Sequence, residues 1–514
     1  MSHLSRRDVL KLSAALLGGA ILSSVRPLSN SAHSLGQTGK PNFIVLVLDA
    51  MSARNLSLIG YPRRTTAALE KFSQRSTVYH NHYAGGNFTT PGTATIFTGV
   101  YPWTHRALNL NGLVARSVER NNIFNFLGAE YTRVGFSQNQ LAYLLLAQIV
   151  RDMDLLLDRN SFSLHQNRTL LEDELTNDPV VGYFAVGDFL GQRRAGNPGS
   201  VSLELANIIF QNHERTEATS DYPRGYPFGY RSQFRIEDVL EGLQKIVQDL
   251  ALRQSPFFSY FHLLPPHSPY NPREEFIQPF MQDGMKLPQK PMHPLTAPSL
   301  PSAKLDRVRL LYDSFVSNVD YEVGNFIAGL ESAGILDSTC LIITSDHGEI
   351  FERGFYGHGS PLMYDPVNHI PLIVHMPGQM ERRDVYSLTS NADLLPTILS
   401  LAGREIPSSV EGRILPGLGG TEDADRSVFT VYARDKSSFL PLKTSVLSAR
   451  KNDYHIIHYR GYPGYDDRQE LYHLGEDPDE LRDLATEDPV TVKRLLEELL
   501  DLANQADTPY HRKR

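Results

Sequence analysis

The sequence has almost no cysteine and no segment long and apolar enough to span a membrane comfortably. Cys340 is the single cysteine among 514 residues, so no disulfide can form within the chain. It lies in the apolar stretch STCLIITSD, where we expect a buried structural thiol rather than a reactive one. The mostly apolar run near the N-terminus has about 14 residues, whereas a membrane-spanning helix needs about 20.

The sequence also lacks an excess of basic residues. It has 50 lysines and arginines against 58 aspartates and glutamates, and its net charge is -8. A protein that binds nucleic acid normally presents a basic surface to the phosphates. We therefore expect no nucleic-acid partner. The length is sufficient for one large catalytic domain and a smaller second one.

The N-terminal stretch SRRDVLKLSAALLGGAILSSV is typical of an export signal. Arg6 and Arg7 precede the short apolar run, and Arg26 and Pro27 follow it. This pattern resembles a twin-arginine signal, which we assign to residues 1–34 with cleavage near Ala32. The predicted partner is the twin-arginine export machinery, and the predicted location is periplasmic or extracellular. The alternative is an uncleaved N-terminal membrane anchor.

Between residues 40 and 420 short apolar runs alternate with helical patterns. Continuous apolar runs at 42–50, 255–267, 338–349 and 369–378 are typical of strands covered on both faces. Helical periodicity at 235–254 predicts one helix, and the longer stretch 303–334 predicts two helices or one bent helix. This alternation indicates an α/β fold with a large, mostly parallel sheet between helices.

The pattern changes after residue 420. Short, partly alternating strands are followed by an amphipathic stretch at 490–504, which predicts a terminal helix. We therefore divide the exported chain into a catalytic domain at 40–420 and a small C-terminal α+β subdomain at 421–514.

Three of the predicted strands end in side chains that can bind metals or anions. Asp49 ends the first strand, His262 and His267 lie at the end of the second, and Asp346 and His347 follow the third. In open α/β sheets, ligands bind at the carboxyl ends of the strands. The sequence therefore predicts a functional site at this edge of the sheet.

The stretch NFTTPGTATIFTGVYPWTHR at 87–106 allows two interpretations of Thr89. Threonine before a proline in the first helical turn is an ordinary N-cap. Alternatively, Thr89 is a nucleophile held on a metal at a helix N-terminus, where the dipole and free N–H groups favour an anionic substrate. Thr90 is the second candidate for the nucleophile if the register differs by one residue.

The ordered set of motifs resembles the sulfatase family of the alkaline phosphatase superfamily. The motifs are PNFIVLVLDA, TTPGTATIFTGVYPWTHR, PPHSP, TSDHGE, YGHG, NADLLPTILSLAG, VEGRILPGL and ELYHLGEDPDELRDLA. The resemblance implies an alkaline-phosphatase/sulfatase-like α/β sandwich with a metal site at the strand ends. It also implies four metal ligands, which are Asp49, Thr89, Asp346 and His347.

The same resemblance implies that His267 and His358 contact the oxyanion or the leaving group, with His262 as a weaker candidate for that role. Two carboxylates and an imidazole favour Zn²⁺ or Mn²⁺ as the divalent cofactor, with Ca²⁺ as a further possibility. We expect one tightly bound ion. A second ion would need His262, His267 and His358, because Asp313 and Asp320 fall in a helical stretch and are expected to be surface or structural residues.

Three positions depart from the usual sulfatase pattern. Thr89 stands where the formylglycine precursor would be, Thr93 where an arginine would be, and Ala50 where the family has a second aspartate. Threonine cannot yield formylglycine because its β-carbon carries a methyl group. These departures resemble the threonine-dependent phosphodiesterases, pyrophosphatases and phosphotransferases of the same superfamily.

The predicted activity is therefore hydrolysis or transfer of a phosphoester, phosphodiester or phosphonate ester through Thr89, which the metal would activate. The expected substrate is an ester of a small molecule, a lipid headgroup or a glycan. Two alternatives remain open at this point. The first is a sulfuric ester hydrolase without formylglycine, and the second is a non-catalytic member that binds an anion or a glycan. Residues 150–235 and the proline-rich segment 265–301 are expected to shape the substrate pocket.

Overall fold

A computed structural model describes residues 39–164, 221–229, 232–286, 288–296, 299–433 and 439–511. The predicted export signal at 1–34 lies outside these residues, as does most of the stretch 150–235. Within the described residues, the helices are all too short or too polar to cross a bilayer.

The strands fall into one large sheet, one smaller sheet and three two-stranded pairs. Their bounds are β1 Asn42–Leu48, β2 Thr77–Tyr79, β3 His82–Tyr83, β4 Thr132–Ser137, β5 Leu155–Leu156, β6 Phe228–Gly229, β7 Ser232–Gln233, β8 Phe257–Leu263, β9 Thr339–Thr344, β10 Ile350–Glu352, β11 Phe355–Gly357, β12 Leu372–His375, β13 Arg383–Val385, β14 Thr389–Ser390, β15 Ser427–Tyr432, β16 Ser445–Lys451, β17 Tyr454–Arg460 and β18 Gln469–His473.

The large sheet has eight strands in the order β13-β2-β12-β9-β1-β8-β4-β5. Its centre is parallel, because β1 pairs in parallel with both β8 and β9, and β8 pairs in parallel with β4. Strand β12 is antiparallel to both of its neighbours. The predicted α/β class with a mixed, mostly parallel sheet is confirmed, and the fourth apolar run is the strand that reverses direction.

Strand β1 shows why its sequence is apolar at every position. Ile44 and Leu46 pack into the core on one face of the sheet, whereas Phe43 and Val45 pack into the core on the other. All four side chains are buried. A strand covered on both faces cannot alternate between apolar and polar residues, so a continuous apolar run results.

The helices cover both faces of this sheet. Their bounds are α1 Ala67–Ser73, α2 Thr89–Thr98, α3 Pro102–His105, α4 Arg116–Glu119, α5 Ile123–Leu127, α6 Gln140–Gln148, α7 Ile236–Ala251, α8 Glu274–Ile277, α9 Ser302–Ser332, α10 Asp365–Asn368, α11 Leu394–Leu401 and α12 Pro489–Asp507. The stretch predicted as two helices or one bent helix is the single long helix α9.

Two aspartates of α9 are buried, so their expected surface position was wrong and their structural role is supported. Asp313 lies 2.7 Å from the guanidinium of Arg63 and accepts a hydrogen bond from Asn55. Asp320 accepts hydrogen bonds from the backbone N–H groups of Ala68 and Leu69 at the start of α1. Both carboxylates fasten α9 to the segment that follows β1, and neither is left for a metal.

The C-terminal part consists of the antiparallel sheet β15-β16-β17-β18 and helix α12, as predicted for an α+β unit. Arg106 joins this helix to the chain after α2, because its guanidinium lies 3.1 Å from Asp507 and over the ring of Tyr510. The domain boundary between residues 420 and 421 stays a prediction.

Candidate metal and nucleophile site

Three neighbouring parallel strands bring Asp49, His262 and Asp346 together. Strand β1 lies between β8 and β9, and Val47 pairs with both His262 and Thr344. The imidazole Nε2 of His262 lies 3.1 Å from Asp49 Oδ2 and 3.7 Å from Asp346 Oδ2. One donor atom from each side chain falls within 4.8 Å of the others, and all three residues are fully buried.

The expected ligand His347 lies against the same carboxylates. Its Nε2 is 3.4 Å from Asp49 Oδ1 and 3.5 Å from Asp346 Oδ2. The structure therefore brings together the two aspartates and the histidine that the family resemblance implied, and it adds His262 to them.

His262 is the weaker candidate for contacting the oxyanion or the leaving group, and the structure adds a second possible role. Its Nε2 lies among the atoms that could bind a metal ion. Its Nδ1 lies 3.0 Å from the hydroxyl of Tyr260, two residues earlier in β8. That hydroxyl can donate to Nδ1 or accept from it, so the ring can present either a proton or a lone pair at Nε2.

The donor set fits a divalent cation. Asp49 Oδ1 and Asp346 Oδ2 are buried and have no hydrogen-bond partner among the described residues. Burying an anionic oxygen without a partner is costly, and coordination to a cation removes that cost. Two carboxylates with one or two imidazoles suit Zn²⁺ or Mn²⁺.

Ala50 explains how the site is arranged without a second aspartate beside Asp49. Its backbone adopts the left-handed conformation, with φ at 60°. Its N–H points to Asp346 Oδ1 at 3.3 Å, and its carbonyl accepts a hydrogen bond from Tyr312 at 2.7 Å. The peptide groups of residue 50 thus hold Asp346 and the strand end in place, whereas its side chain contributes no ligand.

The charges in the site stabilise each other. Burial alone would raise the pKa of Asp49, but the charge of His267, the hydrogen bond from His262 and the close approach of His347 hold it well below its usual value. Burial alone would lower the pKa of His347, but Asp346 and Asp49 outweigh it and raise that pKa to about 9. In the protein without metal, the Asp49 carboxylate and the His347 imidazolium therefore stabilise each other.

Thr89 is not a helix cap. It is the first residue of α2, and the N-cap is Phe88, whose side chain has no hydrogen-bonding group. The hydroxyl of Thr89 lies 3.4 Å from His347 Nε2 instead. The hydroxyl of Thr90 donates to the carbonyl of Leu110 at 2.9 Å. Of the two candidate nucleophiles, Thr89 is therefore the one that faces the site.

Gly92 allows the helix to come this close to the strand end. A Cβ at Gly92 would lie 2.2 Å from the backbone oxygen of Asp346. Any other residue there would push α2 away from the metal ligands, so the glycine in the TTPG motif is explained by packing.

Asn139 is a site residue that sequence reasoning missed. Its amide nitrogen donates to Asp49 Oδ2 and to Thr89 Oγ1, the latter at 3.2 Å, while its carbonyl oxygen accepts from Leu141 N–H and caps α6. It follows β4, the parallel strand next to β8. The sequence contained a signal for Asn139, because a polar residue that follows a fourth parallel strand lies at the same edge of the sheet as the other site residues.

The expected substrate-contacting histidines lie together beside the metal-ligand candidates. The ring centroids of His267 and His358 are 4.8 Å apart, and those of His347 and His358 are 4.3 Å apart. His358 Nδ1 lies 2.8 Å from Glu349 Oε1, and Tyr270 donates to the other oxygen of Glu349 at 3.0 Å. Glu349 is the second residue that the sequence analysis did not assign.

The contact with Glu349 determines the tautomer of His358. Burial lowers the pKa of His358, and the charge of Glu349 opposes this shift without cancelling it. The imidazole is therefore neutral at pH 7, donates Nδ1–H to Glu349 and leaves a lone pair on Nε2.

Comparison with known proteins gives a family assignment. The sequence profile of the family described as Sulfatase matches residues 41–404. A second profile, described as N-sulphoglucosamine sulphohydrolase, C-terminal, matches residues 352–505. Together the two profiles account for the large sheet, the site and the C-terminal α+β unit.

Individual relatives are distant. Arylsulfatase K from Bos taurus is 26% identical over 281 residues, which are 48% of this chain and 51% of that protein. An arylsulfatase from Clostridium perfringens is 20% identical over 474 residues, or 87% of this chain and 90% of its own. The matches to arylsulfatase K proteins span 36–55% of the length of those proteins.

Solved structures share the fold. A phosphonate monoester hydrolase of Agrobacterium radiobacter superimposes with a TM-score of 0.67 and 20% identity, covering 91% of this chain and 96% of that one. The sulfatase profile covers most of the chain and includes every residue of the site described above. The chain therefore belongs to the sulfatase family.

Proposed function

We propose that this protein is an exported, metal-dependent enzyme that cleaves a phosphoester, phosphodiester or phosphonate ester through Thr89. The observation that carries this proposal is the position of the Thr89 hydroxyl. It lies at the N-terminus of α2, 3.4 Å from His347 Nε2 and 3.2 Å from Asn139 Nδ2, and it is not used as a cap. A hydroxyl held among metal-ligand candidates is arranged as a nucleophile.

Asp49, Asp346 and His347 would hold the cation together with Thr89, and His262 is a further ligand candidate. When bound, a divalent cation lowers the pKa of a nearby hydroxyl and stabilises negative charge on the transferring group. The two unpartnered carboxylate oxygens of Asp49 and Asp346 are the atoms that would face it.

The remaining groups orient the nucleophile. Asn139 donates one hydrogen bond to Thr89 Oγ1, so it directs a lone pair of that oxygen toward the substrate. The branched β-carbon of Thr89 restricts χ1 and keeps the oxygen in one position. The first N–H groups of α2 have no partner within the helix and can bind an equatorial oxygen of the ester.

The reaction would proceed in two displacements at the same phosphorus atom. In the first, Thr89 Oγ1 forms a bond to phosphorus and the bond to the ester oxygen breaks. In the second, water or an acceptor alcohol breaks the bond to Thr89 and releases the product. Each departing oxygen gains a proton, and each attacking oxygen loses one, so the enzyme is regenerated.

His267 and His358 are placed for these proton transfers. The neutral His358 offers the lone pair of Nε2 and suits the acceptance of a proton from the attacking water. His267 donates Nδ1–H to the carbonyl of Ser268. In its imidazolium form the ring would also have a proton on Nε2, which the first leaving group would receive. We assign these two roles to the pair together, because their rings lie 4.8 Å apart.

The nucleophile determines which class of ester we propose as the substrate. The segments beside the site would set the size of the substrate. The proposed substrates are esters of small molecules, lipid headgroups or glycans. The name of the structural relative from Agrobacterium radiobacter specifies a phosphonate monoester. Export through the twin-arginine machinery to the periplasm or the exterior is part of the same proposal.

Sulfuric ester hydrolysis without formylglycine is the second candidate. Its specific support is that the sequence relatives are named arylsulfatases. Against it, Thr89 occupies the nucleophile position and cannot be converted to formylglycine. The first candidate is therefore preferred.

The deciding experiment compares p-nitrophenyl phosphate, bis-p-nitrophenyl phosphate, p-nitrophenyl phenylphosphonate and p-nitrophenyl sulfate with added Zn²⁺ or Mn²⁺. Wild type, Thr89→Ala and the neighbouring control Thr90→Ala would be assayed. We expect turnover of a phosphorus ester, loss of it in Thr89→Ala, and a phosphorylated or phosphonylated Thr89 in quenched samples. Cleavage of sulfate alone, or full activity of Thr89→Ala, would overturn the proposal. Metal binding without any turnover would favour a non-catalytic binding protein.

A further inference from the structure

A cavity of about 510 Å³ lies beside the candidate site, between the segment after β1, the start of α9 and strand β10. Its volume is within the usual range for small-molecule sites, about 300–1,000 Å³. None of the metal-ligand or nucleophile candidates lines it. It shares one wall residue with the site, Glu349, whose carboxylate is held by His358 and Tyr270.

The cavity contains a buried cation with an unused donor. Arg309, on α9, is only 2% exposed, and neither its Nε nor its Nη1 has a hydrogen-bond partner within the described parts of the chain. Nε is enclosed by protein, so Nη1 is the donor left to the cavity. Among the described residues, the carboxylate contact of Arg309 is Asp306, at 3.1 Å from Nη2, and the Asp306 side chain is 45% exposed. A guanidinium has N–H donors on several edges. Arg309 uses only Nη2, and the partner of that atom is exposed to solvent.

The other charged groups of the cavity largely neutralise one another. Lys290 lies 2.7 Å from Glu352, and Arg54 at the rim lies 3.5 Å from Asp479. Arg353 lies over the ring of Tyr364, with its Nε 3.6 Å from Glu352.

Lys286 and Glu349 also line the cavity, and together with Arg309 and Asp306 the lining has five cationic and four anionic side chains. The cavity therefore has room for about one further negative charge, not for a dianion or a polyanion.

Apolar side chains form the rest of the wall. Ile59, Leu305 and Phe351 face the same space as Arg309. An inorganic ion would leave this surface in contact with water, whereas an organic ligand would cover it. The lining thus combines a buried cation that has an unused donor with an apolar surface.

From this combination we infer that the cavity is a second binding site, separate from the metal site, for a small organic monoanion with a carboxylate on an apolar body. The carboxylate pairs with the free edge of Arg309, and the apolar body packs against Ile59, Leu305 and Phe351. The inference does not depend on the proposed reaction, because no residue assigned to bond cleavage lines the cavity.

The test is isothermal titration of the full chain with phenylacetate and, as a neutral control of the same shape, phenylacetamide. We expect saturable 1:1 binding of phenylacetate that is at least about tenfold tighter than binding of the amide, as a charge-assisted hydrogen bond predicts. The variant Arg309→Gln should lose at least about tenfold in affinity. The matched control is Arg307→Gln, two positions earlier on α9 and exposed, which should bind as wild type does.

A second variant covers the case in which Arg309→Gln does not fold. Ser302 is an exposed residue at the start of α9 that lines the cavity, and Ser302→Trp would fill the space without removing a charge. It should abolish phenylacetate binding, whereas Thr89→Ala should retain it. The inference is wrong if wild type shows no saturable binding, if the amide binds equally well, or if Thr89→Ala rather than Ser302→Trp removes the binding.

Discussion

The side-chain amide of Asn139 donates a hydrogen bond to the hydroxyl of Thr89 at 3.2 Å, although the two residues are 50 positions apart in the sequence. The same amide nitrogen also contacts Asp49. Asn139 thereby links the proposed nucleophile to a proposed metal ligand, and its own position is fixed because its carbonyl oxygen caps α6.

Replacing Asn139 should therefore slow the chemical step more than it weakens substrate binding. We expect Asn139→Ala to lower kcat about 10- to 100-fold, since a hydrogen bond to a developing charge contributes about 1.5–3 kcal/mol. Steady-state kinetics on the preferred p-nitrophenyl ester would measure this. Asn125→Ala, at an asparagine of α5 outside the site, is the control. An equal loss of kcat in both variants would point to a general folding defect.

Glu349 should act only through His358. We expect His358→Ala to lower kcat about 100-fold or more, and Glu349→Gln about tenfold, because the glutamate fixes the ring orientation and tautomer. In the His358→Ala background, Glu349→Gln should have no further effect on kcat. Independent, multiplying effects of the two substitutions would show that Glu349 has a separate role.

Tyr260 should increase the affinity for the metal ion although it is not itself a ligand. If His262 Nε2 binds the cation, the ring must donate Nδ1–H to the Tyr260 hydroxyl, which lies 3.0 Å away. Tyr260→Phe removes this acceptor, and loss of such a partner typically weakens metal binding about 10- to 100-fold. Competition with a chromogenic chelator would measure the dissociation constant for Zn²⁺.

The matched control is Tyr79→Phe, because Tyr79 is also buried and its hydroxyl bonds to the carbonyl of Pro416 away from the site. Unchanged Zn²⁺ affinity in Tyr260→Phe would mean that His262 is not a ligand. The cation itself should raise the melting temperature of wild type, because a ligand that binds only the folded state at 100 times its Kd adds about 2.7 kcal/mol.

Asp320 should make the stability of the protein depend on pH. Burial raises the pKa of Asp320 from 3.8 to about 7, despite hydrogen bonds from Ala68 and Leu69 that oppose the shift. The folded state therefore binds this proton more tightly than the unfolded state does. The stabilisation is fully present below about pH 4 and is lost as the pH rises to about 7.

Relative to Asp320→Asn, wild type should thus lose free energy of unfolding, on the order of 1–4 kcal/mol, between pH 4 and pH 7. Urea unfolding of both proteins at several pH values would measure this difference. The exposed Asp337→Asn serves as the control and should show a much smaller change. A difference between wild type and Asp320→Asn that is constant with pH would contradict the prediction.

The class of fold could be predicted from the amino-acid pattern alone. Continuous apolar runs predicted the parallel strands, because strands covered on both faces admit no polar alternation. The resemblance of the ordered motifs to the sulfatase family implied Asp49, Thr89, Asp346 and His347 as a group, and the structure places these side chains within a few ångströms of one another. The strands follow from local pattern, which a sequence records directly, whereas the grouping of the site residues rested on the family resemblance.

Which atoms face the site depends on how distant segments pack and could not be predicted from the sequence. Capping and nucleophilic roles for Thr89 share one sequence pattern, and the choice between them depended on where α2 meets the end of β9. The position of Asn139 after a fourth parallel strand could be read from the sequence, but its hydrogen bonds to Asp49 and Thr89 could not. The pairing of Glu349 with His358 was likewise visible only in the structure. Asp313 and Asp320 are buried by contacts with the chain around Arg63 and Ala68. Helical periodicity cannot reveal such contacts, since they are set by how distant segments pack.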